Sequence, residues 1–218
     1  MMAVHRLHSL ARTARELRRD RSGMALVEFA LSLPFVVFVT MTGAELANFT
    51  TAKMRVSQIA LHVADNAARI GTGTVLSNKT ISEAQINDLF TGANYQGGRL
   101  NVKTNGKVIL SSLENDPSNT GKYYIHWQRC YGSKTYASSY GKQGDNNLTG
   151  MGPTGQKVTA PSGGATMFVE ISYNYQPIIS TKFMPMSTIT EIAAMTVRDS
   201  RDLTQIYNSE GVTASSCP

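Results

Sequence analysis

The spacing of apolar residues changes near residue 45, and the change divides the chain into elements. Residues 24–44 are apolar all round, with Glu28 their single charge and Glu45 the next acid. As a helix this stretch spans roughly 30 Å, the thickness of a bilayer's hydrocarbon core. Beyond it the pattern becomes a stripe. Ala52, Val56, Ile59, Val63, Ala67 and Ile70 recur at steps of three and four, the helical period, with Lys53, Arg55, Gln58, His62, Asp65, Asn66 and Arg69 between them. No Gly or Pro interrupts residues 45–70, and Gly71-Thr72-Gly73 supplies a stop. The expectation is one helix over residues 24–70, about 70 Å long. Its first part (24–45) suits lipid and its second (46–71) suits packing on a globular domain. Pro34 is expected to kink it, because proline removes a helical hydrogen bond.

Residues 72–218 read as a β-containing domain. Ser82-Glu83-Ala84-Gln85 has the form of a capping box, opening a short helix to Phe90 with Ile86, Leu89 and Phe90 inward. Asn105-Gly106 lies between the strand-like runs 100–104 and 107–110, a hairpin signal. Further strands are expected over 122–130 and 167–175. A last element over about 188–197 reads as strand or helix, since Glu191-Ile192-Ala193-Ala194-Met195 suits a helix. The segment 132–165, rich in Gly, Ser, Asn and Thr, is expected to be a long exposed loop. The sum is an α+β chain: a long N-terminal helix against a small antiparallel sheet of four or five strands.

Charge sharpens this picture. The net charge of +6 might suggest a nucleic-acid partner, but Arg6, Arg12, Arg15, Arg18, Arg19 and Arg21 cluster in the first 22 residues and the remainder is close to neutral. A nucleic-acid binder spreads its positive charge over the folded domain, so no such partner is expected. The arginines instead predict a cytoplasmic N-terminus and an extracytoplasmic domain after residue 45. Three fates fit: a signal peptide cut after Thr42-Gly43-Ala44, an uncleaved anchor, or cleavage after Gly23. A carboxylate in an apolar span is costly unless paired, which makes Glu28 a functional candidate, although near the interface it could equally reach the headgroups.

A basic leader (residues 1–23) ending in Gly23, then Met24-Ala25-Leu26-Val27-Glu28-Phe29 and an apolar helix, resembles the prepilin peptidase site of type IV pilin-like proteins. More narrowly, Gly23 through Pro34 resembles the TadE/TadF-type pseudopilins of the tight-adherence (Tad/Flp) pilus system. The resemblance implies cleavage between Gly23 and Met24, with Glu28 becoming the fifth mature residue. It implies assembly through Glu28 and Phe29, and a role as a structural minor pilin, since the major pilins of this system are very short. It also implies a strand for the last element, at about 188–197. The implied partners are a prepilin peptidase, other pilins and pseudopilins, the Tad assembly platform and the inner membrane. A type II secretion pseudopilin shares the processing chemistry but not the Leu31-Ser32-Leu33-Pro34 continuation. The family often carries an acid at the position of Glu45, which on residues alone is equally an ordinary exposed charge. The rival from another class is a signal-anchored or secreted periplasmic binding or adhesion domain.

Two cysteines, Cys130 and Cys217, in an oxidising compartment suggest a disulfide within or between chains, against two free thiols. His5, His8, His62 and His126 form no zinc-ligand spacing, and no nucleophile elbow or phosphate loop is present. A Cys130/His126 dyad is conceivable, because residues four apart on a regular strand share a face. Tyr123, Tyr124, Trp127, Tyr131, Tyr136 and Tyr140 could be core and hairpin packing or an adhesive, sugar-binding surface. The sequence predicts neither an enzyme nor a metal or cofactor.

Overall fold

The computed structural model describes residues 16, 18, 21, 23–74, 77–179 and 188–218. The expected leader, apart from those of its residues, therefore lies outside the described residues, as do His5 and His8. The chain is α+β and divides into two units, Met1–Ala47 and Asn48–Pro218. Helix α1 (Met24–Arg69) contributes residues to both.

In the first unit α1 continues through Pro34 and is long and apolar enough to cross a membrane. Its large side chains are bare on all sides, Leu26 at 74%, Phe35 at 75% and Phe38 at 62% exposure. The few hydroxyls in this stretch are satisfied within the helix. Ser32 Oγ donates to the Phe29 carbonyl at 3.1 Å, Thr40 Oγ1 to that of Val36 at 2.9 Å, and Thr42 Oγ1 to that of Phe38 at 2.8 Å. Such internal satisfaction is what an apolar solvent demands of polar groups. Glu45 is buried at 3% exposure, so the reading of an ordinary exposed charge is corrected.

In the second unit the stripe on α1 is the buried face. Ala52, Val56, Ile59, Val63 and Ala67 enter one core with Ile86, Phe90, Val108, Leu110, Val169, Ile171 and Tyr173. Helix α2 (Glu83–Gly97) opens at the Ser82/Gln85 capping box, as the sequence predicts, and runs past Phe90 because Ala93 and Gly97 continue its buried face. Helix α1 ends at Arg69 and Gly71 takes φ 137°, a conformation open to glycine.

The sheet has four antiparallel strands, β1 (Gly106–Asn115), β2 (Tyr123–Tyr131), β3 (Ala165–Asn174) and β4 (Thr188–Thr196), in the order β2-β1-β3-β4. The hairpin expected at Asn105-Gly106 does not form. Strand β1 is paired on both sides, by β2 and β3, which leaves no slot for a strand over residues 100–104. Asn101 instead turns left-handed at φ 48°, and Val102–Asn105 forms a single helical turn, α3, with Val102 fully buried.

The second correction concerns residues 132–165. This segment is not a free exposed loop but the cover of the sheet's other face. Met151 buries itself against Leu113, Ile125 and Phe168, with Tyr140, Leu148 and Val158 around them. The loop also occupies the outer edge of β2: Tyr123 and Leu148 exchange backbone bonds, and the Ile125 N–H donates to the Asp145 carbonyl at 2.9 Å. A bare strand edge invites foreign pairing, and here the chain's own loop prevents it. Gly132, at φ 99°, starts the crossing; a Cβ there would lie 2.3 Å from the Gly106 carbonyl oxygen.

Candidate functional site

The N-terminus of α1 presents the residues singled out in the sequence. The Met24 N–H donates to the Arg21 carbonyl at 3.0 Å and the Val27 N–H to that of Gly23 at 3.1 Å, so the helix begins immediately after Gly23. Nothing lies within 4 Å of a Cβ built on Gly23, and Met24 is 56% exposed. Glu28 and Phe29 project from the next turn, both exposed. Glu28 makes no hydrogen bond or ion pair with any described residue. The geometry is therefore a bare peptide bond at a helix start, followed within two turns by a single unpaired carboxylate on an apolar rod.

In the second unit Cys130 and Cys217 are joined in a disulfide within the chain. The bond pins the C-terminal tail beside β2. The Cys130 N–H donates to the Ser215 carbonyl at 2.7 Å, and Asn87 on α2 bonds both the Thr213 carbonyl and the Ser215 hydroxyl. Neither cysteine is a free nucleophile. The Cys130/His126 dyad also fails on geometry. A bulge in β2, between the pairs Ser112–Trp127 and Leu113–Ile125, inserts His126 as an extra residue. His126 then faces Glu114 on the helix side of the sheet, while Cys130 sits opposite Ile109 on the loop side.

Around Glu114, buried at 3% exposure, three side chains converge. Ser112 Oγ donates to Oε1 at 2.7 Å, His126 Nδ1 lies 3.0 Å from Oε2, and the Tyr124 hydroxyl lies 3.3 Å from Oε2. The hydrogen bond to Glu114 raises the His126 pKa above its ordinary 6.5, against an opposing push from burial. Burial first, and the Glu114 charge second, push the Tyr124 hydroxyl up to about 12. A histidine whose folded pKa is raised stabilises the fold below its unfolded pKa, and that stabilisation is lost as pH rises through the raised value. Stability is thus expected to fall, by up to about 1 kcal/mol for a partly exposed pair, as pH climbs from 6.5 through the shifted value. Urea unfolding at a series of pH values should show this decline, and His126→Gln should flatten it; a decline that persists in the variant rejects the assignment.

Three further charged residues escape sequence reasoning. Glu83 and Arg129 form a buried bidentate ion pair that ties α2 to β2, with side chains 6% and 12% exposed. Arg201, also buried, donates through Nη2 to the Ala67 and Ile70 carbonyls at 3.0 and 2.7 Å, closing the C-terminal end of α1. Burial pushes its pKa down to about 10, with Asp199 and Glu114 opposing, and its Nε and Nη1 have no partner among the described residues. The only sequence signal was Glu83 in a capping box; Arg129 and Arg201 lie in stretches with no motif.

The six aromatic residues do not form one surface. Tyr131 stacks on Phe90 at 5.6 Å, Trp127 joins the helix-side core, and Tyr140 meets Phe168 edge-on at 5.3 Å on the other face. Among the described residues no cluster of three or more His, Cys, Asp or Glu could hold a metal ion. Comparison of the chain with family models, curated proteins and solved structures finds no match.

Proposed function

We propose that the chain is a TadE/TadF-type minor pilin or pseudopilin, a structural subunit that a prepilin peptidase matures between Gly23 and Met24. The observation that carries the reading is Glu28, an acid without a partner among the described residues, on the exposed and otherwise apolar first part of α1 (residues 24–44), five residues after Gly23. Such a carboxylate requires a partner when the helix enters lipid. Cleavage at Gly23 creates one, the ammonium of Met24, and on a neighbouring subunit that ammonium would pair with Glu28 and set the register of packed helices. The arginine-rich start argues for a cytoplasmic N-terminus and the disulfide for an oxidising compartment around residues 48–218. The resulting topology is single-pass in a bacterial inner membrane, with the domain periplasmic until the subunit joins a pilus. In this reading residues 48–218 shape and present the subunit and perform no chemistry.

Intact mass of the protein from cells with and without their prepilin peptidase tests the proposal. A chain that starts at Met24 only when the peptidase is present is the expected result, and Glu28→Ala should leave that cleavage intact while reducing piliation severely. A chain starting at Glu45 means a secreted domain and an uncut chain means a plain anchor; either rejects the reading.

A further inference from the structure

The loop-covered face of the sheet contains a cleft of about 670 Å³ between residues 133–145 and strands β1 and β2, with the disulfide in its wall. A cleft of this size accommodates a small ligand of one to a few sugar rings. Three lysines line it, Lys107, Lys134 and Lys142, against one lining aspartate, Asp145. None of the three ammonium groups is in an ion pair with any described carboxylate. Lys134 Nζ donates to the Ser172 hydroxyl at 2.8 Å and Lys107 Nζ to the Gly132 carbonyl at 3.3 Å, both neutral acceptors. Burial alone lowers the Lys134 pKa, with no acid acting to restore it.

Of the side-chain carboxylates nearby, Asp145 and Glu170 accept hydrogen bonds from the loop, and Pro218, the last residue of the chain, also lines the cleft. Asp145 Oδ2 accepts the Lys142 backbone N–H at 2.9 Å. Glu170, fully buried on β3, accepts the Ser139 N–H at 2.9 Å and the hydroxyls of Ser138 and Tyr136. Its bonds hold the loop down, so it does not serve as counter-ion to Lys134. The frame is also rigid, since Gln128 Nε2 ties the Gly141 carbonyl at 3.1 Å and the disulfide fixes the tail beside it.

We infer that this cleft binds the anionic group, carboxylate or phosphate, of a small hydroxylated ligand such as an acidic sugar, with Lys107, Lys134 and Lys142 as its cationic contacts. The inference is independent of the pilin reading. An anionic group in the cleft would accept charge-assisted hydrogen bonds from these ammonium groups, roughly twice as strong as bonds to neutral acceptors. The Thr135 hydroxyl on the same wall offers a neutral contact for the ligand's own hydroxyls.

Ligand-observed NMR on the full chain in non-ionic detergent, at low ionic strength, tests the inference with galacturonic acid, glucose 6-phosphate and neutral glucose. Binding of one or both acidic sugars, and not of glucose, is expected. Galacturonate alone identifies a carboxylate ligand and glucose 6-phosphate alone a phosphate ligand. Lys134→Gln and Lys142→Gln should each weaken binding about tenfold, the scale of one charge-assisted hydrogen bond. Lys157→Gln, outside the cleft, should leave it unchanged. Lys142 is exposed, so its variant keeps the test valid if Lys134→Gln fails to fold. Absence of binding by both acidic sugars overturns the inference, as does equal binding of glucose or equal weakening by Lys157→Gln.

Discussion

Replacing Cys130 and Cys217 together by serine is expected to cost the domain about 4–5 kcal/mol, the loop-closure entropy that a cross-link between residues 87 apart removes from the unfolded chain. For a unit of this length that corresponds to a fall in melting temperature of about 10–15 °C. The loss should have a spatial signature. The tail is held by the Cys130–Ser215 backbone bond, the Arg129–Ser216 bridge and the two contacts to Asn87, all close to the disulfide. Hydrogen exchange should therefore show residues 213–216 losing protection first, while β1 and β3, at the centre of the sheet, remain protected. Thermal melts of the wild type with and without reductant, beside the double serine variant, supply the check. Coincident melts in all three samples would mean that the tail is held by its hydrogen bonds alone.

Breaking the Glu83–Arg129 pair from one side should be nearly as damaging. Glu83→Gln or Arg129→Met leaves one buried charge without its partner, at a cost of about 3–5 kcal/mol. Replacing both, as Glu83→Leu with Arg129→Met, removes the unpaired charge and should recover most of the loss. The recovery distinguishes a desolvated ion pair from mere packing, because two packing defects would add. Urea unfolding of the two single variants and the double variant measures the coupling; additive losses would show that the two side chains act independently.

The residues whose roles were legible in the sequence are those set by local rules. The apolar run and the stripe on α1, the capping box at Ser82, the strands at β2 and β3, and the stop at Gly71 all follow from periodicity and backbone preference, which depend on near neighbours; β4, locally as good a helix as a strand, was implied only by the family resemblance. The disulfide was legible from the compartment that the N-terminal charges and apolar run imply. Gly23, Met24, Glu28 and Phe29 stood out because an arginine-rich start, a glycine directly before an apolar helix and a lone acid within it are themselves linear features.

What failed depended on where each segment had to sit among the others. Asn105-Gly106 is a sound hairpin signal locally, yet β2 and β3 occupy both flanks of β1 and exclude the other arm. Cys130 and His126 share a face on a regular strand, and one bulged residue places them on opposite faces. Residues 132–165 are polar because most of the segment meets water, but Met151 and the fully buried Glu170 show that it also covers a sheet face.

The sequence by itself thus determined the apolar helix, its striped continuation, the location of most strands and the residues at the candidate processing site, because hydrophobic period and backbone chemistry are local properties. Only the tertiary structure decided the strand order, the covering of the second sheet face, the partners of Glu83, Glu114 and Glu170, and the grouping of Lys107, Lys134 and Lys142 in one cleft. Those arrangements bring together residues tens of positions apart, and their energies come from burial and pairing that exist only once the chain has closed on itself.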